Sequence, residues 1–341
     1  MMIEALLKGI PLPTMIVGSD RIVTHTNAGI SEIFGRDLAG ENVVNLIRQA
    51  QASAAIEACL DNGRSGAARF VLSNHSGEHS FQLSAGAIGN GQAVISFEDQ
   101  TRHEEDDAMR RDFVANISHE LRTPLTSLMG FIETLRGPAR GDTDAQDRFL
   151  SIMEREAERM SRMVSDLLSL SRVEVDERVR PRDQVDISGV LRSVIATLEG
   201  KMSDADITVN ATNLENAFIV QGDRDQLTQL FLNLIENAIK YGGTGKTIHV
   251  SLSTIARDQP LRQPAIKAEI RDEGAGIDPL HLPRLTERFY RVDDHRNRNQ
   301  GGTGLGLAIV KHIVKRHRGR LEISSKQEVG SQFTVFFPQK S

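Results

Sequence analysis

The chain has 341 residues, 39% hydrophobic and 26% charged, enough material for two or three separately cored domains. A formal net charge of -5 excludes the basic surface that a nucleic-acid partner needs, and a single cysteine, Cys59, excludes an internal disulfide and fits a reducing compartment. No run approaches the ~18 apolar residues of a membrane span, and Glu4, Lys8, Pro11 and Pro13 interrupt the N-terminal stretch, so neither signal peptide nor anchor is expected.

Residues 1–98 read as a small α+β domain. Thr14–Val17 and Arg21–His25 have strand character around a turn at Gly18-Ser-Asp20. Helical stretches are expected near Asn27–Phe34 and from Asn42 to Leu60. Three alternating segments follow, Ala68–Leu72, Ser80–Ser84 and Gln92–Phe97, separated by Gly-containing turns. This order resembles a PAS sensor domain, including its close at Glu98-Asp-Gln-Thr101. His25, His75 and His79 lack partners that would mark a haem or flavin site, which favours a relay role over ligand binding. Cys59, among Ala54, Ala55 and Ala58, reads as a packing residue.

Residues 99–112 are charged and free of Pro and Gly, so a connecting helix is expected to run into the next element. There Phe113, Ile117, Leu121, Leu125 and Leu128 recur every three or four residues and form one apolar stripe. His119 lies two residues from Ile117 and from Leu121, which turns it away from that stripe, on the side of Ala115 and Thr123 with Glu120 beside it. A solvated imidazole next to a carboxylate serves as a nucleophile near neutral pH. A lone histidine is usually an ordinary surface residue; here its surroundings decide. Pro124 is expected to kink the helix. After Arg136-Gly-Pro-Ala-Arg-Gly141, a second helix from Asp144 to about Arg172 carries the stripe Phe149, Ile152/Met153, Met160, Met163/Val164, Leu167 and Leu170. Two long helices on a short loop make an antiparallel hairpin over residues 113–175. Neither helix covers the other's whole apolar face, so a homodimeric four-helix bundle is expected.

A linker at 176–182, ending near Arg180-Pro-Arg182, leads to an α/β segment over 183–338. Its strand candidates are Ile207–Val209, Ala217–Val220, Ile248–Leu252, Ile266–Ile270, Arg320–Ile323 and Phe333–Phe337. In the helix Asp225–Tyr241, Leu227, Phe231, Leu234 and Ala238 form the apolar face, and Asn233, Asn237 and Lys240 share a polar one. Carboxamide oxygens suit Mg²⁺ shared with phosphates, and a lysine neutralises phosphate; two asparagines one turn apart are, on their own, more often plain surface. Asp272-Glu-Gly-Ala-Gly276 joins a carboxylate to two glycines, as a purine amino group at close range would require, though turns also look like this. Gly301-Gly-Thr-Gly-Leu-Gly-Leu307 precedes a helix and offers backbone N–H groups to phosphate, without the Gly-Lys-Ser/Thr end of a Walker A loop. Between them lie Glu287–Arg291 and a polar, lid-like stretch from Asp293 to Gln300.

These segments together resemble the sensor histidine kinases of two-component systems. Ser118–Pro124 is similar to their H box, Asn233–Tyr241 to the N box, Asp272–Gly276 to G1, Arg288–Arg291 to the F box and Gly302–Leu307 to G2, in order across about 109–338. The wording of Asp112–Asn116, Gly130–Leu135, Leu167–Arg172 and Pro283–Arg291 is similar to the phosphate-regulon sensor kinase branch. Thr286 departs from the pattern where many relatives carry the first Phe of the F box. The implied architecture is multidomain α+β: a PAS-like domain, a dimeric helical hairpin, and an α/β-sandwich ATP-binding domain of the Bergerat/GHKL type.

The resemblance implies that His119 takes the γ-phosphoryl group of ATP while Glu120 orients the imidazole and accepts its proton. Thr123 matches the position used to place water for dephosphorylating a partner. Asn237 would hold Mg²⁺ with Asn233 nearby. Lys240, Tyr241, Arg291, Gly274 and Gly276 would line the nucleotide, and Asp272 would meet the adenine amino group. Gly302, Thr303, Gly304, Leu305, Gly306 and Leu307 would wrap the phosphates, with a hinge near Arg172–Pro181. Implied partners are a second copy and the receiver domain of a response regulator, in phosphate-starvation signalling. The implied location is cytoplasmic, as the soluble part or a soluble relative of an inner-membrane kinase. A topoisomerase-type ATPase would place a water-activating Glu where this chain has Asn233, and a non-catalytic scaffold would show damage in at least one box.

Overall fold

The computed structural model describes residues 2–74, 77–175, 179–292 and 302–339. The chain divides into two compact units, Met1–Ala115 and Asn116–Ser341.

The first unit contains α1 (Met2–Lys8), β1 (Thr14–Val17), β2 (Val23–Thr26), α2 (Ala28–Phe34), α3 (Val43–Leu46), α4 (Ala50–Asn62), β3 (Gly66–Asn74), β4 (Gly77–Gly89) and β5 (Gln92–Asp99). The strands form one sheet in the order β2-β1-β5-β4-β3, antiparallel throughout. Alternation on β4 and β5 places Leu83 opposite Phe97 and Ala85 opposite Ile95, all buried on one face. Phe34, Phe70 and Phe81 gather around Phe97 at centroid distances of 5.8, 5.5 and 6.4 Å. Cys59 is buried among them, as a packing residue should be.

Buried Asn27 ties the N-terminal segment down. Its Oδ1 accepts the Thr14 N–H (3.0 Å) and caps α2, while Nδ2 donates to the Leu12 carbonyl (2.8 Å). The single helix expected over 42–60 is instead two, α3 and α4. Gln49 causes the break: its amide exchanges both hydrogen bonds with the backbone of Val71 on β3, which holds the chain extended just before α4.

α5 (Thr101–Arg136) is one helix through the expected connecting segment and the His119 region, and its assignment continues through Pro124 without a break. It pairs with α6 (Thr143–Val175) in the second unit. The Phe131 and Phe149 rings meet at 5.4 Å, and Pro124, Met163 and Leu170 are buried. Two residues expected in the buried stripes depart from them: Leu125 is 50% and Val164 45% exposed. They join Val114, Met129, Ile132, Leu150 and Leu168, also exposed, so each helix carries a second apolar strip beside the seam. Residues 176–178 of the expected linker lie outside the described residues.

Beyond the linker come β6 (Gln184–Asp186), α7 (Ile187–Asp204), β7 (Thr208–Thr212), β8 (Ile219–Gln221), α8 (Arg224–Gly242), β9 (Thr247–Asp258), β10 (Gln263–Arg271), α9 (Gly306–Arg316), β11 (Arg320–Lys326) and β12 (Gly330–Pro338). The sheet runs β11-β12-β10-β9-β7, with only the β7/β9 pair parallel, and α8 packs on β9 and β10. β6, not anticipated from sequence, pairs with β8 in a separate two-stranded ribbon. Asp186 and Asp223 cap α7 and α8 through their carboxylates.

Fully buried His317 closes the α8/α9 junction. Nδ1 lies 2.8 Å from the Ile313 carbonyl, which only accepts, so Nδ1 carries the proton; Nε2 then accepts the Asp223 N–H at 3.0 Å. This geometry requires the neutral ring, and burial lowers the imidazole pKa further. A histidine whose folded pKa is depressed contributes fully above its unfolded value near 6.5 and loses that contribution as pH falls below it. The melting temperature is therefore expected to drop between about pH 7.5 and 5.5, with a shallower slope for His317→Gln. Parallel thermal melts of both proteins across that range check this; an equal slope in the variant would remove His317 as the cause.

Candidate active site

His119 stands on the water-facing side of α5 with Ala115 and Thr123, all three exposed, as the periodicity requires. The Thr123 hydroxyl donates to the His119 carbonyl at 3.2 Å, one turn back along the helix. Glu120 turns toward the hairpin seam, where its Oε2 accepts from Arg159 Nη2 of α6 at 3.2 Å; Arg159 also lies 3.8 Å from Glu156. The carboxylate next to the histidine is thus held by the opposite helix.

The remaining site residues converge in the α/β fold. On α8, Leu227, Phe231, Leu234 and Ala238 are buried as expected, and Asn233, Asn237 and Lys240 are half-buried beside them. Lys240 Nζ sits 4.7 Å from the Tyr241 ring centroid. The same nitrogen would lie 2.6 Å from a Cβ added to Gly302, and Asn233 Oδ1 would lie 2.9 Å from one added to Gly306. The asparagine helix and the Gly-rich turn therefore face each other directly. Leu305 is buried beneath the turn, Leu307 is half-buried, and Gly306 opens α9.

The Glu287–Arg291 segment joins them through the backbone. Phe289 N–H donates to the Gly304 carbonyl at 2.9 Å. Gly304 has φ +70°, and a Cβ there would approach Phe289 Cα to 2.8 Å, so only glycine fits. Tyr290 OH is 2.7 Å from His281 Nδ1, with the Arg284 guanidinium 4.2 Å from its ring centroid. Arg291 is half-buried just before the polar stretch 293–300, which with Gly301 lies outside the described residues.

Asp272 ends β10 and is only 3% exposed. Its Oδ1 accepts two backbone N–H groups, from Gly274 at 2.9 Å and Ser331 at 3.1 Å. Oδ2 makes no hydrogen bond among the described residues. Burial raises the carboxyl pKa, and the two N–H donors oppose that rise. A Cβ at Gly274 would stand 2.1 Å from the Tyr241 carbonyl, so the chain after Asp272 passes against the end of α8. Gly276 makes a similar approach to the Lys326 carbonyl. The result is a cluster of one carboxylate oxygen left without a hydrogen bond among the described residues, an amine, two carboxamides and a turn rich in N–H groups. Such a set binds a group with an amino edge at one end and anionic oxygens at the other. The carboxamide oxygens of Asn233 and Asn237 are neutral donors of the kind that Mg²⁺ accepts alongside phosphate and water. Among the described residues, no cluster of three or more His, Cys, Asp or Glu side chains forms a metal site of its own.

Three contributors were not anticipated from sequence. Ser331 pins Asp272 from β12, Arg159 holds Glu120, and Asp166 of α6 accepts the Thr303 hydroxyl proton at 2.7 Å. Arg159 and Asp166 had one visible signal, polar residues seven apart bordering the apolar stripe of α6.

Residues 109–175 match the His Kinase A (phospho-acceptor) domain, and residues 222–341 match the histidine kinase-, DNA gyrase B- and HSP90-like ATPase family. The chain is 39% identical over 249 residues to the phosphate regulon sensor protein PhoR of Pseudomonas aeruginosa, covering 73% of this chain and 54% of that protein. It is 36% identical over 247 residues to the sensor-like histidine kinase SenX3 of Mycolicibacterium smegmatis, covering 72% and 62%. It is 37% identical over 247 residues to the sensor protein kinase WalK of Staphylococcus aureus, covering 72% and 57%. The chain thus spans between 54% and 62% of the length of these relatives. Among solved structures, the histidine kinase ThkA in complex with the response regulator protein TrrA shares the fold, with a TM-score of 0.54, 21% identity and coverage of 99% of this chain and 98% of that one.

Asp272→Asn keeps an oxygen for the Gly274 and Ser331 N–H groups while removing a buried charge. The expected outcome is an unchanged or higher melting temperature together with nucleotide binding weakened at least about tenfold, since a buried polar match is lost. Thermal melts and titration with a fluorescent adenine nucleotide check both halves.

Proposed function

The chain carries the phospho-acceptor and ATPase domains of a sensor histidine kinase, and from that premise we propose that it phosphorylates its own His119 from Mg-ATP. The phosphoryl group would then pass to an aspartate in the receiver domain of a response regulator. The observation that carries this reading is the pairing of a water-facing histidine with a nucleotide-shaped set of residues in the same unit.

In the first step the imidazole of His119 attacks the γ-phosphorus, a P–N bond forms, the bond to the bridging oxygen breaks and ADP leaves. The imidazole proton passes to Glu120. Asp272 Oδ2 receives the adenine amino group, the 302–307 turn and Lys240 hold the phosphates, and Arg291 lies at the F-box edge. Mg²⁺, held by Asn237 with Asn233 nearby, would neutralise phosphate charge. There is little covalent work for the protein beyond positioning and charge neutralisation. In the second step the receiver's carboxylate displaces His119 from phosphorus. Thr123, on the histidine's face, would place water for the reverse, dephosphorylating activity.

The arrangement along α6 says what must move. Arg159 marks the level of Glu120 and Asp166 the level of Thr303; seven residues of helix separate these levels by roughly 10 Å. The ATP-binding domain must therefore travel along the hairpin before transfer, pivoting near Arg172–Pro181.

The exposed strip of Val114, Leu125, Met129, Ile132, Leu150, Val164 and Leu168 supports a homodimer through the hairpin. The sheet order β2-β1-β5-β4-β3, with α2 and α4 packed against it, supports a PAS-like relay domain. The similarity to a phosphate regulon sensor protein supports phosphate-starvation signalling as the pathway. No described helix is long and apolar enough to cross a membrane. An ATPase reading has less support, because Asn233 occupies the position where that class keeps its general base.

Incubation with radiolabelled ATP and Mg²⁺ tests the proposal. Wild type is expected to acquire label that is stable in base and lost in acid, while His119→Ala and Asn237→Ala stay unlabelled. Label retained by His119→Ala, or free phosphate released with no label on the protein, would overturn it.

A further inference from the structure

The hydrogen bond between Thr303 and Asp166 has no part in the reaction just described, and it uses a residue the reaction needs. Thr303 lies in the Gly-rich turn between Gly302, where Lys240 Nζ approaches, and Gly304, which is bonded to Phe289. Its Oγ1 donates to Asp166 Oδ2 at 2.7 Å and accepts the Leu305 N–H at 3.2 Å. A hydroxyl has one proton. While Asp166 holds that proton, Thr303 has none to offer a phosphate oxygen.

Asp166 comes from α6, outside the nucleotide fold, and α6 packs against α9, the helix that the turn opens. It is half-buried there, and the burial, with Glu236 close by, raises its carboxyl pKa; the Thr303 hydrogen bond and Arg162 pull the other way. A carboxylate accepting a hydroxyl hydrogen bond has the charge and the acceptor chemistry of a phosphate oxygen.

We propose that Asp166 is a built-in competitor for the nucleotide: its carboxylate holds the Thr303 hydroxyl when the ATP-binding domain rests on α6, and the phosphates of ATP take that donor and release the domain from the helix. This rests on the nucleotide reading given above and adds to it a residue of the helical hairpin that sets nucleotide affinity. Linkage makes the effect reciprocal, because whatever favours docking on α6 weakens nucleotide binding by the same factor. It also couples loading to movement: the contact that ATP displaces holds the turn roughly 10 Å along α6 from the level of Glu120.

The test is equilibrium binding of a fluorescent, non-hydrolysable ATP analogue with Mg²⁺ to the full chain. Asp166→Ala is expected to bind up to about fivefold tighter than wild type. Asp166→Asn, which keeps an acceptor but drops the charge, should fall between them. Glu154→Ala, an exposed carboxylate on the same helix, should match wild type. Independently, a chain with Asp166→Cys and Thr303→Cys should cross-link under mild oxidation and do so more slowly with saturating analogue; the native Cys59 is buried and does not interfere. Unchanged or weaker binding by Asp166→Ala, or cross-linking indifferent to the analogue, overturns the competitor role while the kinase reading stands. Failure of wild type to bind the analogue at all overturns the nucleotide reading, and this proposal with it.

Discussion

In the proposed reaction a phosphoryl donor and its histidine acceptor must meet at bonding distance, yet the residues assigned to the two roles belong to different hydrophobic cores. His119 depends on the α5/α6 seam, and the nucleotide residues depend on the sheet and the helices packed on it. Helix α6 serves both. Through Arg159 it fixes the carboxylate beside the histidine, and through Asp166 it touches the Gly-rich turn. Both contacts are polar and only half-buried, so each contributes about 1 kcal/mol or less. Contacts of that size hold a docked arrangement while leaving it breakable by a ligand that binds far more tightly. A dry, apolar interface of similar extent would not be released by phosphate.

The nucleotide site follows the opposite rule. Asp272 is taken out of water, which costs free energy, and that cost is only partly offset by the Gly274 and Ser331 N–H groups on Oδ1. In the proposed function the adenine amino group is the polar partner for the other oxygen of Asp272. Around it the backbone packs so closely that side chains are excluded: Gly274 lies against the Tyr241 carbonyl and Gly304 against Phe289. Rigidity at the base and phosphate ends, with weak attachment of the domain to α6, separates binding from transport.

Much of this was legible in the sequence because it is local. The period of Phe113, Ile117 and Leu121 placed His119 in water, and the face of α8 placed Asn233, Asn237 and Lys240 together. Boundaries set by side chains reaching across the fold were not legible. Residues 42–60 carry no helix-breaking proline or glycine, yet Gln49 divides them because its amide finds the Val71 backbone on another strand. Strand β6 is three residues long, too short for alternation to register. Arg159 and Asp166 border the apolar stripe of α6, but only the tertiary arrangement shows which groups they meet. Leu125 shows a subtler limit: periodicity marks a residue as apolar-facing without saying which apolar surface it faces.

The helix geometry resolves that last point. At about 100° per residue, with Val114 as origin, Leu125, Met129 and Ile132 fall within about 60° of it. The seam residues Phe113, Ile117, Leu121, Pro124, Leu128 and Phe131 cluster about 70° to the other side, centred near 290°. His119 lies near 140° and Thr123 near 180°. α5 therefore has three faces, one for α6, one apolar and uncovered, and one holding His119. A second copy seated on the uncovered face would complete a bundle without covering His119. Four positions, Val114, Leu125, Met129 and Ile132, make up that apolar face, so a single substitution at Leu125 would weaken association while leaving the imidazole as accessible as before. The histidine can remain in water because the apolar surface of its own helix lies on the other two faces, and neither packing against α6 nor a second copy on the uncovered face would need the third.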